Sequence, residues 1–274
     1  MRVIFNEELK QVADDLDRMA QNVRKAIKGA GEALLNQDVE AAQTVIDGDI
    51  EIDALEASVV DQCVKLLAKQ NPVATDLRVV VSTMRLATTF ERMGDLARHI
   101  AEAARRTYPA SPLPAEAQPL FAEMQAFLND VADQTVAMLS DRDTKTAEQI
   151  IINDDKLDEL HKKTFELAQS ADWSGTNQQL IDVVLIGRFM ERLGDHAVSA
   201  ARRVVSPVST RPRSRPATKT PTSPDFFLAI FFFIFLLRRR LPFPTEAAFL
   251  FCFCNLSARI VKHYLPHYFT FVKP

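Results

Sequence analysis

The sequence predicts an all-α protein made of two tandem antiparallel three-helix bundles, six long helices in all, with an irregular C-terminal tail. Three observations support this prediction: a long heptad pattern of apolar residues, the lack of any convincing strand pattern, and an internal duplication. The chain has 274 residues and only 7 glycines, which argues against a β-sandwich and against a glycine-rich phosphate loop.

The first helix is predicted from the spacing of its apolar residues, which alternate steps of four and three. A strand cannot produce this period over about 30 residues. The pattern comprises Phe5, Leu9, Val12, Leu16, Met19, Val23, Ala26, Ala30 and Leu34. One face of this helix should therefore lie in the core.

Turn signals divide the rest of the chain. Asp38 is a good N-cap, and Asn71 with Pro72 should end one helix and start another. Helices are predicted at about 4–35, 38–69, 72–106, 116–140, 143–170 and 176–204. The predicted units are a first bundle at 1–107, a Pro-rich linker at 108–118, a second bundle at 119–205 and an aberrant tail at 206–274.

The tail differs sharply in composition from the body. Residues 1–205 contain 23 Lys and Arg against 34 Asp and Glu, whereas residues 206–274 contain 10 against 2 and hold 12 of the 18 Phe. The apolar run at 226–237 would rise about 18 Å as a helix, short of the roughly 30 Å of a bilayer core. We interpret the tail as a disordered, frame-shifted or read-through end, with a membrane anchor or an interfacial segment as alternatives.

The body carries no signal for export or for a membrane span. Its N-terminus is charged within ten residues and lacks an apolar stretch, which predicts a cytoplasmic protein. Cys63 is then most simply a reduced core residue. The net charge of −11 over residues 1–205 argues against nucleic-acid binding, because phosphate backbones require positive charge.

The internal repeat contains the most specific signal. Glu-Arg-Met-Gly-Asp at 91–95 recurs as Glu-Arg-Leu-Gly-Asp at 191–195, and each copy is preceded by an acid-x-x-x-acid pair one helix earlier. Residues four apart share a helix face. Counting residues from each turn places the pairs at equal heights in two hairpins, which gives two carboxylate quartets. The first comprises Asp49, Asp53, Glu91 and Asp95, and the second comprises Asp154, Asp158, Glu191 and Asp195.

Four carboxylates suit a hard or borderline cation such as iron, zinc, manganese or magnesium. His99 and His161 are additional candidate ligands, and Arg92 and Arg192 are candidate supporting residues. The rival interpretation is that salt bridges to these arginines neutralise the acids. A mid-helix glycine in each motif costs about 1 kcal/mol relative to alanine, so it points to close helix packing or ligand access.

Two other functions remain open from the residues alone. A coiled-coil adaptor would leave the acids solvated and would bind no metal. A carboxylate-bridged di-metal enzyme is disfavoured, because ferritin-like sites use Glu-x-x-His and neither His99 nor His161 has a glutamate at that spacing. No serine or cysteine lies in a nucleophilic context.

The repeated motif, Asn-Pro-Val-Ala-Thr-Asp-Leu-Arg at 71–78 and Phe-Asn-Glu-Glu-Leu at 5–9 resemble the PhoU family of phosphate-uptake regulators. The resemblance covers residues 1 to about 205. It implies two three-helix bundles related by pseudo-twofold symmetry, with multinuclear iron or zinc clusters on the two quartets.

The same resemblance implies a non-enzymatic negative regulator of the phosphate regulon. Its implied partners are a phosphate ABC transporter ATPase and a sensor histidine kinase, with a homodimer or larger assembly at the inner face of the membrane. The chain departs from the family at Ser206 and Pro207, where we expect the last helix to stop early.

Overall fold

The computed structural model describes residues 2–140, 143–170 and 173–208, with side chains over 5–140, 143–170 and 173–205. These residues form seven α-helices. The interpretations of the tail beyond residue 208, including frame-shift, disorder and membrane anchoring, lie outside the described residues. Among the described helices, none is long and apolar enough to cross a bilayer.

The first bundle consists of α1 (Arg2–Asn36), α2 (Val39–Gln70) and α3 (Ala74–Thr107), each packed against the other two. The predicted apolar pattern of α1 is confirmed: eight of its nine residues are buried, and Leu9 packs partly buried against the core. Asp38 caps α2 by accepting hydrogen bonds of 2.9 Å from the amides of Glu40 and Ala41. Asn71 ends α2 in the left-handed conformation, with φ 43°.

The second bundle consists of α4 (Gln118–Ser140), α5 (Thr144–Ile152), α6 (Asp154–Ala168) and α7 (Asn177–Val208). The helix predicted at 143–170 is observed as two helices, α5 and α6, separated by Asn153 at φ −83° and ψ 1°. Asn has a low helix propensity, and the side chain of Asn153 makes no capping hydrogen bond to α6. The break puts Asp154 and Asp155 in the first turn of α6, where the helix dipole favours negative charge.

The last helix is longer than expected. α7 continues through Pro207 to Val208, so the expected stop at Ser206 and Pro207 is wrong. Proline's fixed φ fits a helix, and its missing N–H costs only one hydrogen bond near the end of α7.

The two bundles pack against each other through α3 with α7 and α1 with α4. Asp133 of α4 accepts bonds of 2.8 Å from Lys28 of α1. Arg106 of α3 pairs with Asp182 of α7, whose side chain is only 2% exposed. The carboxylate motifs lie on α3 and α7, the two helices that also form this interface.

Cys63 lies in the core of the first bundle. It is a buried free cysteine, and burial raises the pKa of its thiol to about 11. A protonated, inaccessible thiol is unreactive at neutral pH. The prediction of a reduced core residue is consistent with this environment.

Candidate functional site

The first quartet lies between α2 and α3. Asp49 and Asp53 come from α2, and Glu91 and Asp95 come from α3. Burial raises the pKa of both Asp49 and Glu91, and Asp53 and Asp95 add to both shifts, whereas Arg98 lowers the pKa of Asp49 and Arg92 that of Glu91. The four carboxylates therefore lie within electrostatic range of one another.

An arginine bridges two acids of this first quartet. Arg98 Nε lies 2.6 Å from Asp49 Oδ2, and Arg98 Nη2 donates to Asp95 Oδ1 at 2.8 Å. Its remaining nitrogen, Nη1, reaches Glu102 at 2.9 Å. Hydrogen bonding to Asp95, together with the nearby acids, raises the pKa of Arg98. A fixed guanidinium thus offsets the repulsion of the first quartet.

The second quartet repeats this arrangement between α6 and α7. Asp154 and Asp158 lie on α6, and Glu191 and Asp195 lie on α7. Burial raises the pKa of Asp154 and of Glu191, and Asp158 and Asp195 add to both shifts. The carboxylates of this quartet therefore repel one another, as those of the first quartet do.

The second quartet lacks the bridging arginine. The residue 100 positions after Arg98 is Val198, which is buried. Arg188 pairs with Glu191 at 2.6 Å from a half-exposed position, and Arg202 acts on Asp154 only at longer range. Among the described residues, neither Asp154 nor Asp195 forms a salt bridge. More of this negative charge remains open to a cation.

The two candidate histidines differ in their surroundings. His161 is half-buried, and its Nε2 has no hydrogen-bond partner among the described residues. Desolvation and Arg188 lower the pKa of His161, whereas Asp195 raises it, so the ring lies near the second quartet. His99 instead lies 3.3 Å from Glu102 and packs on the Phe189 ring at 5.4 Å. Of the two, only His161 presents an unused buried nitrogen.

The mid-helix glycines allow close helix packing. A Cβ at Gly94 would lie 3.1 Å from Ile52 and 3.2 Å from Asp49 Oδ1. A Cβ at Gly194 would lie 2.5 Å from Leu157 of α6. In each half, the glycine lets the helix that carries the acid pair approach the helix that carries the motif.

The candidate supporting arginines behave differently. Arg92 contacts Glu91 at 3.3 Å and Asp95 at 3.2 Å from a mostly exposed position. Arg192 forms no salt bridge in the described part of the chain and acts on Glu191 only through its charge. Sequence reasoning missed Arg98 and Arg188, although each lies three residues from an acid of its motif.

The donor set fits a cation better in the second half than in the first. No group of three or more His, Cys, Asp or Glu in the described residues is already arranged as a metal site. Asp49 Oδ1 is buried without a hydrogen-bond partner, but Arg98 already holds the other oxygen of that carboxylate. The second quartet combines Asp154 and Asp195, which form no salt bridge among the described residues, with the free Nε2 of His161.

Sequence comparisons place the chain among known proteins. The PhoU domain family model matches residues 16–104 and 121–204, one match in each bundle. The chain is 37% identical over 205 residues to "Phosphate-specific transport system accessory protein PhoU homolog 1" of Mycobacterium leprae, covering 75% of this chain and 92% of that one. It is 36% identical to PhoU homolog 2 of Mycobacterium tuberculosis, covering 75% and 96%.

Solved structures agree with the fold. PhoU from Pseudomonas aeruginosa superposes with a TM-score of 0.69 at 25% identity, covering 74% of this chain and 98% of that one. The phosphate transport system regulatory protein PhoU from Streptococcus pneumoniae gives a TM-score of 0.67 at 22% identity, covering 76% and 98%. With a family match in each bundle and relatives above one-third identity, the chain belongs to the PhoU family.

Proposed function

We propose that this protein regulates phosphate uptake without catalysing a reaction. It would couple a phosphate ABC transporter ATPase to a sensor histidine kinase and exert negative control of the phosphate regulon. The observation that carries this proposal is family membership over both bundles, with relatives named as accessory proteins of phosphate-specific transport. A homodimer or larger assembly, cytoplasmic and at the inner face of the membrane, belongs to the same proposal.

The regulatory role is testable in cells. The chain would be expressed in a bacterium that lacks its own PhoU-family protein and carries a phosphate-starvation reporter. We expect it to restore repression at high phosphate, and the purified chain to bind the transporter ATPase and the kinase. Unchanged reporter activity, with folded protein present and neither partner bound, would contradict the regulatory role.

We further propose that the protein binds a cation through its carboxylate quartets, with the tighter site in the second half. Iron or zinc suits a set of carboxylates with one imidazole, and manganese or magnesium suits the carboxylates alone. The support is the contrast in counter-charge: Arg98 bridges Asp49 and Asp95, whereas Val198 stands at the equivalent position of the second half.

A bound cation would link the quartets to regulation. It would neutralise acids from α6 and α7 and so would hold the two helices together. Asp154, Asp158, Glu191 and Asp195 would hold it, with His161 as an added ligand. The metal-free adaptor is the second candidate, and it is favoured by Arg98, a side chain that pairs with two of the four acids of the first quartet.

A further inference from the structure

A cationic groove lies where the two bundles meet. Its volume is about 530 Å³, and residues of α2, α3 and α7 line it. Arg85, Arg92 and Arg203 line the groove together with one acid, Glu56. Arg92 also pairs with Glu91 and Asp95, and Arg203 Nη1 donates to the carbonyl oxygen of Ser199 at 2.8 Å. This concentration of positive charge stands out in a body whose net charge over residues 1–205 is −11.

The internal repeat shows that the fold does not require these charges. The residues 100 positions away from Arg85 and Arg203 are Leu185 and Ala103, and the counterpart of His196, which also lines the groove, is Leu96. Leu185 and Ala103 carry no charge at the positions equivalent to Arg85 and Arg203. The counterparts of Thr88 and Arg92 are the arginines Arg188 and Arg192, so Arg85, Arg203 and His196 are what distinguish this end of the interface.

The comparison between the two ends of the interface also accounts for the open space in the groove. At the other end of the interface, His99 and Phe189 fill the contact with two rings whose centroids lie 5.4 Å apart. Their counterparts in the groove are Ser199 and Thr89, which are much smaller. Small hydroxyl side chains replace the ring pair where the arginines converge, and His196 lies within electrostatic range of Arg92 and Arg203.

We propose that this groove binds a small molecule through a phosphoryl group. Arginine guanidinium groups match the oxygen geometry of phosphate and form charge-assisted hydrogen bonds to it. The groove volume falls in the range of roughly 300–1,000 Å³ typical of small-molecule sites. Free inorganic phosphate and the phosphate of a larger molecule such as a nucleotide share this chemistry.

The test distinguishes phosphoryl binding in the groove from cation binding at the second quartet. Arg92 also contacts Glu91 and Asp95, so it is left unchanged. Arg85 and Arg203 are replaced by the residues of the other half, as Arg85→Leu and Arg203→Ala. Binding is measured with a chelator present, so that bound metal cannot supply affinity for an anion. Failure of the cation proposal would therefore leave this test intact.

The experiment is isothermal titration of the full chain with inorganic phosphate and, separately, with ATP. We expect saturable binding of one ligand per chain, weakened about tenfold or more by each substitution, because each removes a charge-assisted contact. Arg105→Leu is the matched control: it removes the same charge from an exposed position on α3, where Arg105 bonds Gln43, and should leave affinity unchanged. Circular dichroism checks folding, and Arg85→Gln replaces Arg85→Leu if the leucine variant loses helix.

The two ligands distinguish the source of the phosphoryl group. Equal affinity for phosphate and ATP would assign the groove to the free anion, and binding of ATP alone would assign it to an organic phosphate. Either result supports the proposal. No saturable binding of either ligand at millimolar concentration would overturn it, and so would an equal loss of affinity in Arg105→Leu.

Discussion

The two halves of this chain differ in the positive charge that offsets the repulsion among their carboxylates. Each presents four carboxylates between two packed helices, and in each half burial and like charges raise the pKa of two of them. The first half places Arg98 between Asp49 and Asp95, but the second half has Val198 at that position. A duplicated scaffold can thus keep its acids and change their counter-charge.

The largest expected effect comes from removing the guanidinium. Arg98→Met should lower the free energy of unfolding by about 2–4 kcal/mol, because it leaves the buried carboxylate of Asp49 unpaired. Arg188→Met is the comparison in the second half, where a smaller loss is expected because Arg188 is half-exposed and pairs with one acid, the mostly buried Glu191. Urea denaturation of metal-free protein measures both variants, and equal losses would remove the distinction between the halves.

A smaller effect is expected at the histidine of the second half. His161→Gln should weaken cation binding about tenfold, equivalent to about 1.4 kcal/mol, because it removes an unused buried nitrogen beside the quartet. His99→Gln is its control and should leave cation affinity unchanged, since His99 contacts Glu102 and Phe189. Calorimetric titration with zinc or iron tests the pair, and equal weakening by both would contradict the assignment of His161.

The two mid-helix glycines allow the packing of the two halves to be compared. Gly194→Ala should destabilise the protein by about 1 kcal/mol, because the added methyl group would lie 2.5 Å from buried Leu157. Gly94→Ala meets its neighbours at 3.1–3.2 Å, and a helix-propensity gain of about 1 kcal/mol should nearly offset that crowding. Thermal denaturation measures both. A larger loss at Gly94 would show that the first half is the more tightly packed.

The smallest effect is a pH dependence of metal-free stability. The pKa of Asp154 and Glu191 is raised in the folded state, so ionising them costs stability, and this contribution is lost as pH rises through their folded pKa. Asp154→Asn/Glu191→Gln should therefore be more stable than the wild type at pH 7 without metal, with the difference shrinking toward pH 4.

Denaturation in chelator at several pH values measures this difference. Comparing variant with wild type separates it from His161 and His196, whose lowered pKa acts in the opposite direction as pH falls. A variant that is less stable than the wild type at pH 7 would contradict a net repulsion among the acids of the second quartet.

Periodicity and repeat spacing were sufficient to predict the helices and the positions of both acid sets. Heptad steps locate α1, and Asp38 and Asn71 mark the ends of α2. The break at Asn153 was not predicted, because one unfavourable residue in a strong helical pattern is a weak signal. The upstream acid pairs are 105 residues apart and the motifs 100 apart, because the segment from Asp158 to Glu191 is five residues shorter than the segment from Asp53 to Glu91.

The counter-charges could not be assigned from the sequence, because a long arginine side chain reaches several partners. Arg98 could have contacted Glu102 alone, and only the packed hairpin brings it to Asp49 across α2 and α3. The repeat does contain a hint, since an arginine in one half aligns with a valine in the other. Such differences between repeats show where two equivalent sites have diverged.

The most direct test of this account is the metal content of the full chain after limited loading with zinc or iron. Elemental analysis would compare the wild type with Glu91→Gln/Asp95→Asn and with Glu191→Gln/Asp195→Asn. We predict that the first variant retains the metal of the wild type and that the second, still folded, loses it. Loss from the first variant alone, or equal retention by both, would contradict the claim that the second quartet depends on an exchangeable cation.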